Sequence, residues 1–146
     1  MIGLQRLSEV RPILETARVI AVLGAHSDLG RPAGYVPAYL HAQGYRVLPV
    51  NPRLVGERLF GEPVRRDLSE IGESIDIVDI FRRSEDLPAH LPELLGLSPL
   101  PRVVWLQQGI VNDSFAAALV AVGITVVQSR CTLADHQALG LPPIGD

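Results

Sequence analysis

Residues 19–23 read VIAVL, an unbroken apolar run in which three of the five residues are β-branched. Runs of similar character follow at residues 45–50, 75–81, 103–106 and 124–127. Continuous apolar runs, without the alternation of a half-exposed strand, indicate strands that helices cover on both faces of a parallel sheet. We therefore predict an α/β fold: a Rossmann-like, doubly wound and mostly parallel five-stranded sheet with helices on both faces, and at most one extra short strand.

The helix after the first strand is predicted at residues 35–43. It ends at Gly44, which suits the left-handed position just past a helix C-terminus. Pro37 is tolerated in an opening turn, where its missing N–H would have no helical partner in any case. The helix is therefore expected to begin near Ala33 or Gly34.

Two further helices have recognisable starts. Ser84 is expected to cap one of them, with acidic residues in its first turn, and Asn112 is expected to cap the other, which ends at Gly123. Residues 54–73 are rich in glycine, proline and charge, and are predicted to form a connector with at most a short strand and a short helix.

Composition excludes several classes of protein. The 146 residues are 47% hydrophobic and carry a net charge of −3, which excludes a disordered chain and argues against a basic nucleic-acid binder. All 13 basic side chains are arginines, so a Schiff-base lysine and a P-loop lysine are absent. Cys131 is the lone cysteine, which excludes an internal disulfide and a thiolate zinc site and fits a reducing cytoplasm. We predict no metal site.

The sequence also bears on location and domain organisation. No segment has the roughly 18 consecutive apolar residues that a membrane span needs, and the charged start of the chain does not resemble a signal peptide. We expect a single domain over residues 1–146, with an N-terminal helix within residues 1–17 and a loose tail at residues 141–146. The protein is expected to be cytoplasmic, with a small-molecule ligand and without nucleic-acid or membrane partners.

A ligand crevice is expected where the winding of the sheet reverses. The right-handed crossover rule puts the first strand mid-sheet, with the second strand on one side and the strand at residues 75–81 on the other. The loops that follow Leu23 and Ile80 then flank the crevice.

The loop after the first strand is a candidate for phosphate binding. It does not match the dinucleotide fingerprint, because His26 and Leu29 stand where glycines are required. The N–H groups at the start of the following helix, those of Gly34, Tyr35 and Val36, are expected to be free and to bind a phosphate or pyrophosphate. The alternative is a loop whose glycines serve turn geometry alone.

The end of the second strand, LPVNPR at residues 48–53, lacks the acidic residue that holds the ribose of a nicotinamide cofactor. Asn51 can hydrogen-bond a ribose or an adenine edge, and Arg53 can face an additional phosphate on that ribose. NADP and CoA both carry such a phosphate. The alternative is a turn with a solvated arginine.

Further candidates follow the next two strands. Phe81 can stack on a ligand or pack in the core, and Arg82 can pair with a phosphate, whereas Arg83 is expected to be a solvent-exposed charge. Gln107 and Gly109 close the following strand, where glycine lets a ligand approach the backbone closely.

Other polar residues are expected to have structural roles. Cys131 is expected to be a buried, inert thiol. Asp79 lies within a buried strand and needs a partner, for which an arginine is the leading candidate. Asp135 and His136 are interpreted as a helix-end pair, structural or at most a weak part of a ligand site.

The order of these motifs along the chain resembles a known family. The matching stretches are residues 19–40, 44–47, 49–52, 75–83, 105–109, 130–131 and 135–136. They are similar to the CoA-binding domain family of small single-domain proteins, related to the CoA-binding domain of the succinyl-CoA synthetase alpha subunit. His26 and Ala33 stand where the family has serine, so Ser27 or backbone donors would replace a serine hydroxyl there.

The resemblance implies a domain that binds coenzyme A across the crevice, with the pyrophosphate on the first loop and the adenosine near Asn51. No catalytic residue is carried over from it. The implied CoA-binding residues are Gly24, Ala25, His26, Ser27, Arg31, Pro32, Gly34, Tyr35, Asn51, Pro52, Arg53, Phe81, Arg82, Gln107 and Gly109.

The favoured interpretation is a CoA or acyl-CoA binding protein without chemistry of its own, because the sequence holds no complete catalytic set. The alternatives are an NADP-type or CoA-dependent enzyme and a regulatory subunit that acts with a partner. A homodimer and a complex with a partner enzyme both stay open.

Overall fold

Strands and helices alternate along the chain in the computed structural model, which describes residues 1–145. In chain order the elements are α1 (Leu7–Thr16), β1 (Val19–Leu23), α2 (Pro32–Ala42), β2 (Arg46–Val50), β3 (Arg58–Leu59), β4 (Glu62–Pro63), β5 (Ile77–Ile80), α3 (Leu91–Leu95), β6 (Val103–Leu106), α4 (Asp113–Val120), β7 (Thr125–Val127) and α5 (Thr132–Leu139), with 3-10 helices at Leu68–Glu70 and Ser84–His90. None of the helices in these residues is long and apolar enough to cross a membrane.

Five strands form one parallel sheet in the order β2-β1-β5-β6-β7. β1 pairs with β2 on one side and with β5 on the other, so that Leu23 lies beside both Val50 and Ile80. The carboxyl ends of these strands meet at one edge of the sheet, and the winding reverses between β1 and β5. The predicted Rossmann-like, five-stranded α/β fold is confirmed.

The sheet separates two hydrophobic cores, because successive strand residues point to opposite faces. The helices after β5 and α4 cover one face, and α1, α2 and α5 cover the other. Large side chains of the first core are Leu48, Ile80, Leu87, Leu94, Leu106 and Phe115, and those of the second are Leu14, Ile20, Leu40, Ile77 and Trp105. Coverage of both faces explains why the strand sequences are apolar at nearly every position.

The helix after β1 begins slightly earlier than predicted. Arg31 is its N-cap and Pro32 is its first residue, one position before Ala33. Proline is favoured at this first position, where no N–H is needed. Pro37 is accommodated inside the same helix. The start of α2 is therefore set by Pro32.

The segment after β5 differs more from the prediction. Ser84 does not cap a helix: Arg83 occupies the N-cap position of a 3-10 helix, and no side chain caps it. The Ser84 hydroxyl instead accepts a hydrogen bond from the Val111 N–H at 3.1 Å. Pro88 and Pro92 lack the N–H groups that a continuous α-helix uses, so only the five-residue α3 forms.

The predicted cap of α4 is confirmed, since the Asn112 side chain accepts a hydrogen bond from the Phe115 N–H at 3.0 Å. This helix ends at Val120, three residues before Gly123. Gly123 follows in a turn, with a φ of 90° and an N–H that donates to the Val120 carbonyl. The left-handed glycine that the sequence indicates is thus present just beyond the helix.

The connector between β2 and β5 contains one strand more than predicted. β3 and β4 pair antiparallel as a hairpin, and Leu68–Glu70 forms a 3-10 helix. Arg46 at the start of β2 donates hydrogen bonds to Glu62 at 3.1 Å and to Glu73 at 2.9 Å. These ion pairs attach the hairpin and the end of the connector to the edge of the sheet.

The segment expected as a loose tail is attached to the domain as far as residue 145. Residues 141–145 contain no helix or strand, but the Ile144 N–H donates to the Gln43 carbonyl at 2.7 Å, and Ile144 packs against the second core. Asp146 lies outside the described residues. A Cβ on Gly44 would lie 2.8 Å from the Ile144 carbonyl oxygen, so this glycine admits the returning chain.

The β1–α2 loop folds back tightly on the start of α2. The His26 N–H donates to the Ala33 carbonyl, and the Arg31 N–H donates to the Asp28 carbonyl, both at 3.1 Å. A Cβ placed on Gly34 would lie 2.1 Å from the Asp28 carbonyl oxygen, far inside van der Waals contact. This position requires glycine because of the approach of the loop backbone.

Gly34→Ala is expected to destabilise the domain by about 3 kcal/mol, because backbone atoms must move to admit the methyl group. Gly72→Ala is the matched control, since a Cβ there meets nothing within 4 Å. Urea unfolding of the two variants and of the wild type measures the difference. Equal losses of unfolding free energy in both variants would contradict the close approach at Gly34.

Candidate ligand-binding site

The loops after β1, β2, β5 and β6 converge at the carboxyl edge of the sheet and enclose two adjoining cavities. The first, called here the cationic cavity, measures about 590 Å³ and is lined by Gly24, His26, Arg31, Asn51, Pro52, Arg53, Leu54, Phe81, Arg82, Arg83 and Asp86. The second, called the apolar cavity, measures about 580 Å³ and is lined by Arg31, Pro32, Ala33, Tyr35, Val36, Phe81, Arg82, Arg83, Gln107, Gln108, Ile110 and Cys131. Both lie at the switch point where open α/β sheets bind ligands.

The cationic cavity concentrates positive charge in an acidic chain. Its wall holds four arginines, Arg31, Arg53, Arg82 and Arg83, against one carboxylate, Asp86, while the whole chain carries a charge of −3. Two carboxylates outside the wall, Asp28 and Glu85, pair with Arg31 and Arg83, so the arginines still exceed their acidic partners by one. Arg82 and Arg83 reach Asp86 at 3.8 and 2.9 Å. Exposed ion pairs of this kind contribute little to stability, because solvent screens them. The cavity therefore attracts anions.

His26 lines the cationic cavity, and a hydrogen bond determines which of its ring nitrogens carries the hydrogen. The Asp28 N–H donates to His26 Nδ1 at 2.9 Å, so the neutral ring carries its hydrogen on Nε2. The backbone N–H of His26 is already bonded to the Ala33 carbonyl. Nε2–H is thus the donor that His26 can offer to a ligand.

The N-terminus of α2 offers fewer free amides than predicted. The N–H groups of Gly34 and Tyr35 both donate to the Arg31 carbonyl at 2.9 Å. Val36 is the fifth residue of the helix, past the positions whose amides lack helical partners. The prediction that these three N–H groups are free to bind a phosphate is wrong, because the helix begins earlier. Of the N–H groups in the first turn of α2, that of Ala33 has no hydrogen-bond partner among residues 1–145.

Asn51 ties the loop after β2 to the loop after β1. Its Nδ2 donates to the Ala25 carbonyl and its Oδ1 accepts from the Arg53 N–H, both at 2.9 Å. The turn that the sequence allowed is therefore present, and it puts Pro52 and Arg53 in the wall of the cationic cavity. One hydrogen of the Asn51 amide group remains for a ligand.

Phe81 lies where the two cavities adjoin. It follows β5 directly, is partly buried, and packs against the second core. Core packing, one of the two roles that the sequence allowed, is therefore present, and Phe81 also lines both cavities. An aromatic ring in this position can contact a base or an apolar chain.

Cys131 lies in the wall of the apolar cavity and is partly buried. The expectation of a fully buried thiol is wrong, because Cys131 occupies the N-cap position of α5, at the edge of the core. Its side chain faces a cavity whose other walls include Tyr35, Val36 and Ile110. A thiol at this place is accessible to a molecule that enters the cavity.

A buried hydrogen-bonded group lies beneath the apolar cavity. Asp79 is fully buried, and its two carboxylate oxygens accept hydrogen bonds from Gln107 Nε2 at 2.6 Å and from Thr132 Oγ1 at 3.2 Å. The prediction of an arginine partner is wrong, because these two side chains satisfy both oxygens. Burial raises the pKa of Asp79 to about 7, although the hydrogen bonds from Gln107 and Thr132 act in the opposite direction.

Asp135 and His136 have structural partners, in line with the predicted role. Asp135 accepts two hydrogen bonds from the Arg130 guanidinium, at 2.7 and 2.9 Å. His136 Nδ1 lies 2.8 Å from the Tyr39 hydroxyl, and the ring packs edge-on against Tyr39 and Tyr45. Burial lowers the pKa of His136. Both residues attach α5 to its surroundings.

Most of the residues that the sequence singled out line one of the two cavities. The others are Ala25 and Gly34, which are buried behind the loop, Ser27, which is exposed away from both cavities, and Gly109. The Gly109 N–H donates to Ser129 Oγ at 3.1 Å. These four residues do not line the cavities themselves. Residues next to them in the chain form the cavity walls.

The implied CoA-binding residues leave out eight residues of the cavity walls, which are Ala33, Val36, Leu54, Arg83, Asp86, Gln108, Ile110 and Cys131. Ile110 carries a usable signal, because it is an apolar residue directly after a glycine that follows a strand. Arg83 was expected to face solvent only, yet it lines both cavities. Cys131 carries no local signal, since its exposure depends on where α5 begins.

Comparison with known proteins identifies the family. The family model for the CoA-binding domain matches residues 18–137. The chain belongs to the CoA-binding domain family. A curated relative in this family, the Uncharacterized protein YneT of Bacillus subtilis (strain 168), is 35% identical over 129 residues, which cover 88% of this chain and 93% of YneT. The family resemblance seen in the sequence is confirmed.

Solved structures show the same CoA-binding domain fold. The structure of cell-free ID.343 from Thermus thermophilus is 51% identical, covers 92% of this chain and 99% of its own, and superimposes with a TM-score of 0.87. A hypothetical protein from Pyrococcus horikoshii OT3 is 26% identical, covers 94% of both chains, and has a TM-score of 0.84. The fold of this chain is thus shared with these proteins.

Asp79→Asn is expected to stabilise the domain at alkaline pH. The folded-state pKa is raised from 3.8 to about 7, so ionisation of Asp79 opposes folding increasingly across this interval, by up to about 4 kcal/mol. Between about pH 5 and pH 8, the wild type should lose about 3 kcal/mol more unfolding free energy than the variant. Denaturant unfolding at a series of pH values measures this.

Asp113→Asn is the control for the sign of that effect. Hydrogen bonds from the Ile2 N–H and from Gln128 lower the pKa of the Asp113 carboxyl, so its ionised form favours folding. This variant should lose stability relative to the wild type as the pH rises through the acidic range below about pH 5, and the difference should stay constant between pH 5 and pH 8. Parallel pH profiles for the wild type and Asp79→Asn would contradict the raised pKa of Asp79.

Proposed function

We propose that this CoA-binding domain holds coenzyme A or an acyl-CoA across the cationic and apolar cavities. The observation that supports this is their shared wall, since Arg31, Phe81, Arg82 and Arg83 belong to both. A ligand that fills both cavities has an anionic end joined to a long uncharged end. CoA has this composition, with a phosphorylated nucleotide and a pantetheine arm.

The nucleotide belongs in the cationic cavity. The adenosine lies near Asn51 and Pro52, and its ribose phosphate pairs with Arg53. The pyrophosphate accepts hydrogen bonds from His26 Nε2–H and from the guanidinium groups of Arg31 and Arg82. Hydrogen bonds between guanidinium and phosphate are charge-assisted and about twice as strong as neutral ones. Arg53 supports this placement, because it lines the cationic cavity alone, whereas the other arginines line both cavities.

The pantetheine arm belongs in the apolar cavity. Tyr35, Val36 and Ile110 provide apolar contact along the arm, and the volume of about 580 Å³ is in the range of ordinary ligand sites. Cys131 and Gln107 then lie near the thiol half of the ligand. An acyl group on the thiol would extend toward the open side of this cavity.

Binding without catalysis fits the partners of two titratable residues nearby, Asp79 and His136. Asp79 lies beneath the cavity floor with both oxygens bonded, and His136 is bonded to Tyr39 inside the second core. Neither group reaches a place where it can exchange a proton with a ligand in the cavities. We therefore propose a carrier, sensor or regulatory role for the domain.

A thermal-shift titration tests the proposed function with CoA, acetyl-CoA, NAD, NADP and ADP at matched concentrations. A ligand that binds only the folded state raises the unfolding midpoint according to its affinity. The two CoA species should give the largest shifts, because they alone fill both cavities. A larger shift with NADP would favour a dinucleotide site instead, and no shift with either CoA species would refute CoA binding.

Arg82→Ala is expected to weaken CoA binding by about 1.5–3 kcal/mol, because it removes a charge-assisted hydrogen bond to phosphate. Arg66→Ala is the control, since Arg66 is exposed and lines neither cavity. Isothermal titration calorimetry gives both affinities. An Arg82→Ala affinity equal to that of the control would remove Arg82 from the site.

A further inference from the structure

One side chain sets the hydrogen-bonding polarity of the apolar cavity. Gln107 is 5% exposed and belongs to the cavity wall. Its Nε2 donates both hydrogens inward, to Asp79 Oδ1 at 2.6 Å and to Thr132 Oγ1 at 2.9 Å. Its Oε1 accepts no hydrogen bond from residues 1–145, and none of their fully buried side-chain polar atoms lacks a partner. Oε1 is therefore the atom of Gln107 that is open to the cavity.

The directions of the hydrogen bonds lock the Gln107 amide in this orientation. The Thr132 hydroxyl donates its hydrogen to Asp79 Oδ2 at 3.2 Å, so that a lone pair of Thr132 Oγ1 faces Gln107. While Asp79 is ionised, an amide that turned over would bring Oε1 against the Asp79 carboxylate and the Thr132 lone pair with no hydrogen between them. Asp79 and Thr132 are thus positioning residues for an acceptor that points outward.

We propose that Gln107 Oε1 is the specificity-determining acceptor of the apolar cavity and that it binds an amide N–H in an otherwise uncharged ligand arm. This inference rests on the proposed function, in which the arm is the pantetheine of CoA with its amide groups. A ligand arm that covers Oε1 without donating to it leaves a buried acceptor unpaired, which costs free energy. An arm that supplies an N–H is therefore preferred to one that supplies only methylenes or ether oxygens. The amide, as well as the apolar surface, then selects the ligand.

Gln107→Met tests the proposal, because methionine keeps the length of the side chain and removes the acceptor. The affinity for CoA should fall about tenfold, the effect of a lost hydrogen bond in a desolvated site. The affinity for the nucleotide fragment of CoA, adenosine with its 3′-phosphate and 5′-diphosphate, should not change, because that fragment fills only the cationic cavity. Calorimetric titration of both ligands gives the ratio of affinities.

Asp79→Asn is the second variant, in case Gln107→Met does not fold. Asparagine keeps the shape of Asp79 but can donate as well as accept, so the Gln107 amide is free to turn over. The affinity for CoA should fall about threefold, a partial loss of one hydrogen bond, and the affinity for the fragment should stay constant. Gln137→Met is the matched control, since Gln137 is exposed on α5 and lines neither cavity.

The outcomes separate this inference from the proposed function. A selective loss of CoA affinity, with the fragment unaffected, supports the assignment of Gln107. Unchanged CoA affinity in the folded variants, or equal losses for CoA and the fragment, overturns it while CoA binding stands. If the wild type binds neither ligand, the proposed function fails, and the inference fails with it.

Discussion

The parallel pairing of β1 with β5, from Ile20 beside Ile77 to Leu23 beside Ile80, is the constraint on which the site depends. Both strands run in the same direction, so the loops that follow them start at the same edge of the sheet and diverge. Gly24 lies at this point with a φ of 89°, and a Cβ there would lie 2.6 Å from the Phe81 carbonyl oxygen. The two loops are therefore packed backbone against backbone. The cavities open immediately above this contact and cannot shift independently of the sheet.

The charges of the site are arranged so that a ligand can replace weak contacts with stronger ones. Arg31 lies 3.5 Å from Asp28, and Arg82 lies 3.8 Å from Asp86. Exposed ion pairs of this kind contribute little to stability, whereas a guanidinium–phosphate pair is charge-assisted and frequently bidentate. The acidic partners keep the arginines near the cavity without neutralising its overall positive charge. An anionic ligand therefore gains more from these side chains than it displaces.

The parts of the molecule that could be predicted from sequence are those whose determinants lie close together in the chain. The strands were predictable because burial on both faces demands a continuous apolar run, and the Asn112 cap because its partner is three residues away. The prediction that Ser84 caps a helix is wrong because the Ser84 hydroxyl accepts a hydrogen bond from the Val111 N–H, 27 residues away. Asp79 has two partners that are distant in sequence: Gln107 is 28 residues away and Thr132 is 53 residues away. Only the fold therefore reveals them. The positions of the site loops followed from topology, while the hydrogen bonds within them did not.

The buried carboxylate of Asp79 links the stability of the domain to the organisation of its site. An apolar residue at this position of β5 would avoid the desolvation that raises the pKa of Asp79 to about 7. It would also leave Gln107 Nε2 without its acceptor, and the amide would then be free to turn its Oε1 away from the cavity. When a ligand donates to Oε1, the amide becomes more polarised and its Nε2–H groups become better donors to Asp79 and Thr132. Under the assignment proposed for Gln107, ligand binding strengthens the same hydrogen bonds that compensate the buried charge, and so adds to the stability of the domain.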